Sequence, residues 1–276
     1  MAPFWGCGLL RTTDVHFAYG HGRARTEVLH GVSIDVPAGG FAGIIGPNGS
    51  GKTTLLRLLA GTARPDRGTI ALGGRDIRAI SRPELARHMA VVPQERRLAF
   101  DYSVLEVVTM GRYPHLRTFE VEGPADLAIA RDALARTGTA HLQHRAFLTL
   151  SGGEKQRVVI AAALAQIAAS RHAVLLLDEP TAALDLRYQL EIASLLRELQ
   201  ARLALTIVVS THDLNFAASL CRSLLLLRGG RVLAHGETAS VLTPSNVRAL
   251  YDVEADVQHH GHAGHLVVVP VARTSA

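Results

Sequence analysis

The sequence predicts an α/β fold: a parallel core sheet, a small antiparallel β-subdomain near the start of the chain, and a helical subdomain inserted further on. Three observations predict it. Largely apolar runs at residues 41–45, 173–177 and 205–210 have the length and composition of strands buried on both faces, the pattern of a parallel sheet covered by helices. The first run passes through a glycine-rich segment directly into the helical pattern of residues 55–60. From Ser103 to about Ser170 the periodicity is helical with no clear strand, which places the helical subdomain at about 96–170.

Residues 9–19 alternate, with Val15, Phe17 and Tyr19 on one face and Asp14, His16 and Ala18 on the other, as in a half-buried strand. Residues 28–36 read the same way and end at Pro37-Ala38-Gly39-Gly40; with residues 68–72, which precede the turn signal Gly73-Gly74, they make the antiparallel sheet. Ser81 is placed to cap a short helix over 83–88 with Pro83 near its first position, and residues 89–92 form a strand ending at Pro93-Gln94-Glu95. Ser103 with Glu106 has the S-x-x-E form of a capping box before a helix that Gly111-Arg112-Tyr113-Pro114-His115 breaks. Residues 124–137 are a helix ended by Gly138, and Ser151 with Glu154 repeats the capping box before an apolar helix over 158–168. Residues 181–185 are a turn, 186–203 a long amphipathic helix, and 224–227 and 232–234 a strand pair split by Gly229-Gly230. The principal domain spans 9–250, and residues 251–276 form a tail of two short strands around a histidine-rich turn.

With 276 residues and 48% hydrophobic composition, the chain can bury a full core, so disorder is not the default. The net charge of +5 comes from scattered arginines, which reads as a solvated basic surface; no nucleic-acid partner is expected. Two distant cysteines, Cys7 and Cys221, match no metal spacing and indicate a reducing compartment with no disulfide framework. The first seven residues lack the basic and apolar regions of a secretory signal. No run reaches the roughly 18 apolar residues of a membrane helix; the longest, residues 158–169, is short and contains Gln166.

The segment Gly46-Pro47-Asn48-Gly49-Ser50-Gly51-Lys52-Thr53-Thr54, between a strand and a helix, is a phosphate loop by context as well as by pattern. Its glycines let backbone N–H groups turn inward as an anion nest, and the helix start adds the positive end of its dipole. Lys52 can reach the β- and γ-phosphates, and the Thr53 hydroxyl can sit on Mg²⁺. Tyr19, shortly before the loop, is either a stacking platform for a nucleobase or an ordinary strand-end aromatic. Gln94, at a strand end, is placed to bind the metal or an attacking water, an argument that a lone glutamine carries only weakly. Ser151, Gly152 and Gly153 put a free hydroxyl and two glycines at a second helix start, either a second anion site or an ordinary capped helix. After the buried run, Asp178 can hold Mg²⁺ through water, and Glu179, alternating to the other face, can polarise water for attack. His212, just past another strand, can contact a γ-phosphate. The four histidines His259, His260, His262 and His265 read as a solvated turn in preference to a transition-metal site, because no cysteine or carboxylate framework surrounds them.

Taken together, residues 46–54, Gln94, residues 150–154, 174–179 and 183–185, and His212 resemble, in order and spacing, the nucleotide-binding subunits of ABC transporters. In that family they look like Walker A, Q-loop, signature, Walker B, D-loop and switch histidine. The resemblance implies a P-loop NTPase with a RecA-like core sheet, ATP and Mg²⁺ as ligands, and Tyr19 as the adenine-stacking ring. It implies Glu179 as catalytic base, His212 as γ-phosphate contact, and Thr53, Gln94 and Asp178 around Mg²⁺. It also implies a head-to-tail dimer of two copies, each ATP held between one copy's phosphate loop and the other's Ser151, Gly152, Gly153 and Glu154, with Asp185 in the D-loop. Two departures stand out: Glu154 replaces the more familiar glutamine, and Ala162 stands where many members carry arginine, which bears on packing rather than on ATP.

Phe100-Asp101-Tyr102-Ser103-Val104, the segment from Val107 to His115, Leu184-Asp185-Leu186-Arg187-Tyr188-Gln189 and His212-Asp213-Leu214-Asn215 resemble the importers of iron-siderophore, haem and cobalamin. That resemblance implies an ATPase on the cytoplasmic face of the cell membrane, docked on a separate permease and served indirectly by a periplasmic or extracellular binding protein. The alternatives are an ABC ATPase for another solute, or one acting outside transport. DNA-acting members carry a long coiled coil between phosphate loop and signature, whereas residues 55–149 show no sustained heptads. Ribosome-acting members usually carry two cassettes, and a plain kinase lacks the Ser151-Gly152-Gly153 motif.

Overall fold

In the computed structural model the described residues are 8–20, 22, 25–94, 100–182 and 184–273. They divide into two compact units, one formed by the chain up to residue 79 together with residues from 206 onward, the other by residues 80–205.

The first unit opens with β1 (Leu10–Tyr19) and β2 (Thr26–Val36), an antiparallel pair in register from Leu10↔Val36 to Tyr19↔Thr26. The ladder is irregular between Thr12 and His16, where Asp14 has a φ of 48°. Such a bulge resets the inside–outside alternation. Leu10, Thr12 and Val15 are therefore buried, Phe17 is half-buried and Tyr19 exposed, in place of the single face of Val15, Phe17 and Tyr19 expected from strict alternation. The wholly buried β3 (Phe41–Ile45) follows, then α1 (Lys52–Leu59). β4 (Arg67–Leu72) pairs with the free edge of β1, and β5 (Arg75–Asp76) closes a sheet of order β2-β1-β4-β5.

The second unit begins with α2 (Arg82–His88), whose N-terminus is capped by the Ser81 hydroxyl accepting from the Glu84 N–H, and runs on into β6 (Met89–Val92). α3 (Val104–Thr109) starts at the Ser103–Glu106 capping box. Glycine and proline were expected to break this helix at 111–115. The α-helix does end at Thr109, and the chain continues not as a loop but as a 3₁₀ helix over Met110–His115. Packing accounts for the difference. Gly111 sits where a Cβ would overlap the Ala162 carbonyl, buried Arg112 donates to Asp126 (3.0 Å) and to the Ala165 carbonyl (2.6 Å), and His115 Nε2 lies 2.7 Å from the Gln166 carbonyl. α4 (Pro124–Arg136), α5 (Gly152–Ile167), β7 (Val174–Asp178), parallel to β6, and α6 (Leu186–Leu203) complete the unit.

The chain then returns to the first unit with β8 (Thr206–Thr211), α7 (Leu214–Leu220) and β9 (Ser223–Arg228). β8 and β9 flank β3, both parallel to it, and β10 (Arg231–Glu237) folds back antiparallel on β9. Two short helices, α8 (Thr238–Val241) and α9 (Pro244–Tyr251), lead to the hairpin of β11 (Val253–His260) and β12 (His265–Arg273). Fully buried Ile44, Ile45, Leu55, Leu56, Leu58 and Leu59 hold α1 on this unit's core, each contributing about 1.5–3 kcal/mol. Burial pushes the Cys221 thiol above its ordinary pKa, so that sulfur is inert; Cys7 lies outside the described residues. Among the described residues, no helix is long and apolar enough to cross a membrane.

Candidate functional site

In the first unit, strand register places two of the motifs together. β3 and β8 are adjacent and parallel with Ile45 opposite Thr211, so Gly46 and His212 are the residues that leave the same sheet edge side by side. That edge, at the carboxyl ends of the strands, is where α/β sheets bind ligands. The loop then runs to α1. Gly49 and Gly51 have φ of 78° and 103°, the left-handed region that glycine enters without a steric cost. Gly46 is needed for a different reason: a Cβ there would overlap the Leu227 carbonyl. No side chain caps the N-terminus of α1, leaving its first N–H groups to a ligand.

The polar groups in the loop fit a phosphate. Ser50 is 2% exposed, and its hydroxyl oxygen has no hydrogen-bond partner. A buried hydroxyl left this way is costly unless a ligand oxygen meets it. Lys52, also buried, donates from Nζ to the carbonyls of Gly46 (2.9 Å) and Pro47 (3.2 Å), which holds its ammonium against the loop. Asn48 and Thr53 are exposed. Tyr19 is 43% exposed, yet both ends of its ring are fixed: Phe17 packs edge-on at 4.8 Å, and the phenol oxygen lies 3.3 Å from the Thr54 hydroxyl. Arg57 Nη1 donates to the same phenol at 3.5 Å.

In the second unit, β6 and β7 run parallel with Val92 opposite Leu177, so Gln94 and the pair Asp178-Glu179 emerge from one sheet edge. Asp178 is 7% exposed, while Gln94 is exposed; Glu95 lies outside the described residues. β7 ends at Asp178, and Glu179 has a φ of 44°, left-handed backbone that a non-glycine residue holds at a cost of about 1–3 kcal/mol. The direction of the Glu179 side chain is therefore set by this turn and not by the strand alternation assumed from sequence.

The start of α5 differs from expectation in one respect. The Ser151 hydroxyl is engaged: it accepts from the Glu154 N–H (3.3 Å) and donates to Glu154 Oε2 (2.9 Å), while the Ser151 N–H donates to the same carboxylate oxygen at 2.8 Å. The Ser151 backbone N–H, then its hydroxyl, hold the Glu154 carboxyl below its ordinary pKa. Asp185 is the N-cap residue of α6 without a side-chain cap bond, and Ala183 lies outside the described residues.

Two residues that the motifs did not reveal join the starts of α5 and α6. The Tyr188 ring lies on Gly153, where a Cβ would come 2.8 Å from Cγ and 3.0 Å from Cε1. Glu191 accepts from Arg157 (3.1 Å) and Arg187 (3.0 Å). Tyr188 already stands in the segment 184–189 that resembles the importers, but its contact with Gly153 had no signal there, and Glu191 had only its three-residue spacing from Tyr188 on α6. Because a rigid ring fills the space over Gly153, Gly153→Ala is expected to lower ATP turnover about tenfold with a far smaller change in nucleotide affinity, and adding Tyr188→Leu should restore part of the loss. Steady-state kinetics on the two variants check this.

Among the described residues, no three histidine, cysteine or carboxylate side chains are gathered to hold a metal. At the hairpin turn, His260 Nδ1 accepts from the Ala263 N–H at 3.1 Å, and His265 Nδ1 lies 2.8 Å from the Leu266 carbonyl.

The family model described as ABC transporter matches residues 29–182. The hemin import ATP-binding protein HmuV of Bordetella pertussis is 42% identical over 242 residues, covering 86% of this chain and 91% of the relative. The cobalamin import ATP-binding protein BtuD of Halobacterium salinarum is 41% identical over 254 residues, 92% of this chain; the chain spans 62% of that relative's length. Among solved structures, one described as a metal-chelate type ABC transporter in an inward-facing conformation superposes with a TM-score of 0.82 at 32% identity, covering 96% of this chain and 98% of that one. A dimeric ATP-binding cassette in a post-hydrolysis state, bound to ADP and Pi, gives a TM-score of 0.71 at 27% identity over 83% of this chain and 98% of that one. A phosphate loop with a buried hydroxyl waiting for a partner, a histidine beside it in strand register, and relatives of this extent lead to one conclusion: the chain belongs to the ABC transporter family.

Proposed function

We propose that this chain is the ATP-binding and ATP-hydrolysing subunit of an ABC importer for a metal chelate of the haem, cobalamin or iron-siderophore class. The observation that carries the ATP part is the loop itself: left-handed glycines, an uncapped helix start, the partnerless Ser50 hydroxyl and the Lys52 ammonium form a cradle for a triphosphate. Import is supported by relatives above 40% identity that are named for cobalamin and hemin import.

Within this reading, Gly46 to Thr54 bind the phosphates and Tyr19 stacks on the base, its ring already fixed by Phe17, Thr54 and Arg57. Thr53, Gln94 and Asp178 are the residues that would hold Mg²⁺, which would neutralise charge on the phosphate tail. Glu179 takes a proton from water as general base, and His212 contacts the γ-phosphate. Ser151, Gly152, Gly153, Glu154 and Asp185 serve the nucleotide bound by a second copy of the chain, an arrangement in keeping with the dimeric cassette among its structural neighbours. The γ-phosphate then favours the closed dimer, and its loss releases it. The subunit would act on the cytoplasmic face of the membrane, docked on permease subunits and meeting the external binding protein only through them.

Reconstitution with a metal-chelate importer's permease and its binding protein tests the proposal. One chelate class should stimulate ATPase activity at least severalfold. Stimulation by an unrelated solute would replace the substrate assignment, and no ATPase activity at all would remove the motor.

A further inference from the structure

We infer that the C-terminal hairpin is a clamp on the histidine loop, with Tyr251 and Asn215 as positioning residues that act through His212. The inference rests on the reading of His212 as the γ-phosphate contact. It starts from what holds that loop. β8 ends at Thr211, and His212 stands exposed immediately after it. The next residues are braced locally: the Asp213 N–H donates to the Thr211 hydroxyl (3.0 Å), and Asp213 Oδ1 accepts from the N–H groups of Asn215 and Phe216, both at 2.9 Å. This brace fixes the start of α7, and its Asp213 N–H belongs to the same peptide unit as the His212 carbonyl.

Two contacts from the C-terminal segment add a second hold and tie the loop to the hairpin. The Tyr251 hydroxyl donates to the His212 carbonyl at 3.0 Å. Three residues on, Asn215 Nδ2 donates to the Val268 carbonyl (3.1 Å), while the Val268 N–H donates to Asn215 Oδ1 (2.7 Å). A side-chain amide matched to both the N–H and the C=O of one residue reproduces the two-bond pairing of a β-ladder, so α7 is joined to β12 as if by one more strand pair. Val268 is 3% exposed, and both bonds are part-buried.

The hairpin is itself anchored, as a clamp must be. Arg228 on β9 holds Asp252 through two hydrogen bonds, 3.1 and 2.7 Å, and also donates to the Ala249 carbonyl. Asp252 turns the chain from α9 into β11 with a φ of 56°. Tyr251 is thus set by the sheet that carries the phosphate loop. The contact residues Tyr251 and Val268 lie outside the segment matched by the family model. Catalytic groups lose up to about two orders of magnitude in rate when displaced by an ångström. A residue that fixes one peptide plane should therefore change kcat and leave ground-state nucleotide binding alone.

The test uses the full-length chain carrying Tyr251→Phe, Asn215→Ala or His212→Ala, with steady-state ATPase kinetics and hydrogen exchange of the amides at 211–216. Tyr251→Phe removes one hydroxyl and keeps the ring, so folding is preserved. Tyr251→Phe and Asn215→Ala should each lower kcat about three- to tenfold, with KM and ATP affinity within about twofold of wild type, and should speed exchange at 211–216. Unchanged exchange overturns the clamp whatever happens to kcat. Faster exchange with unchanged kcat in the two clamp variants, while His212→Ala lowers kcat, overturns the inference alone. Unchanged kcat in His212→Ala overturns the reading of His212, and the inference with it.

Discussion

Glu179→Gln is expected to lower kcat for ATP hydrolysis by about 10³ while leaving ATP affinity within about twofold. Asp178 and Glu179 share a strand end, but the proposed function gives them different roles. Asp178 is the buried last residue of β7, and the proposal places it on Mg²⁺. Glu179 takes the next position in left-handed backbone. Strain of this kind persists where the surroundings enforce it, and it aims the carboxylate differently from the strand it follows. Glutamine has the same shape and tolerates the same backbone, so the change removes proton acceptance and little else. Binding should therefore survive, and the ATP-loaded closed dimer should accumulate, visible as a doubled mass in size-exclusion chromatography only when ATP is present. Unchanged turnover would take Glu179 out of the base's role.

The same pair shows which features a sequence carries locally and which it does not. That a carboxylate pair follows a buried strand is a local pattern, and local patterns survive folding: the phosphate loop, the three serine caps at Ser81, Ser103 and Ser151, and the hairpin at Gly229-Gly230 lie where their residues suggest. Orientation was less legible. The bulge at Asp14 and the turn at Glu179 each break an alternation that periodicity alone must assume. The 3₁₀ helix at 110–115 was hidden because its cause is tertiary: Arg112 reaches a carbonyl 53 residues away. α9 is legible too, since Thr243 before Pro244 is an ordinary helix start. For the candidate site, motif order named the residues, but the contacts that hold them were out of reach. Tyr188 meets Gly153, and Tyr251 meets His212, across distances in sequence that no window spans.

Lys52→Ala is expected to weaken ATP binding by at least about 10²-fold, measured by calorimetry or with a fluorescent nucleotide, and to abolish turnover at ordinary ATP concentrations. The size follows from what the ammonium does. Charge-assisted hydrogen bonds are worth about 1.5–3 kcal/mol each, and losing about 2.7 kcal/mol corresponds to the expected factor. The location makes the loss hard to repair. Lys52 is 5% exposed and held by the Gly46 and Pro47 carbonyls, so water cannot replace its charge as it would on an open surface. Lys52→Arg should fail nearly as badly, since a planar guanidinium cannot occupy a space shaped for a single ammonium between two carbonyls. A general loss of folding is separable by thermal unfolding: a melting temperature within a few degrees of wild type would assign the lost affinity to the missing ammonium itself. A variant that kept its ATP affinity would show that the loop between β3 and α1 grips something other than a triphosphate, and the roles assigned to Ser50 and Thr53 would go with it.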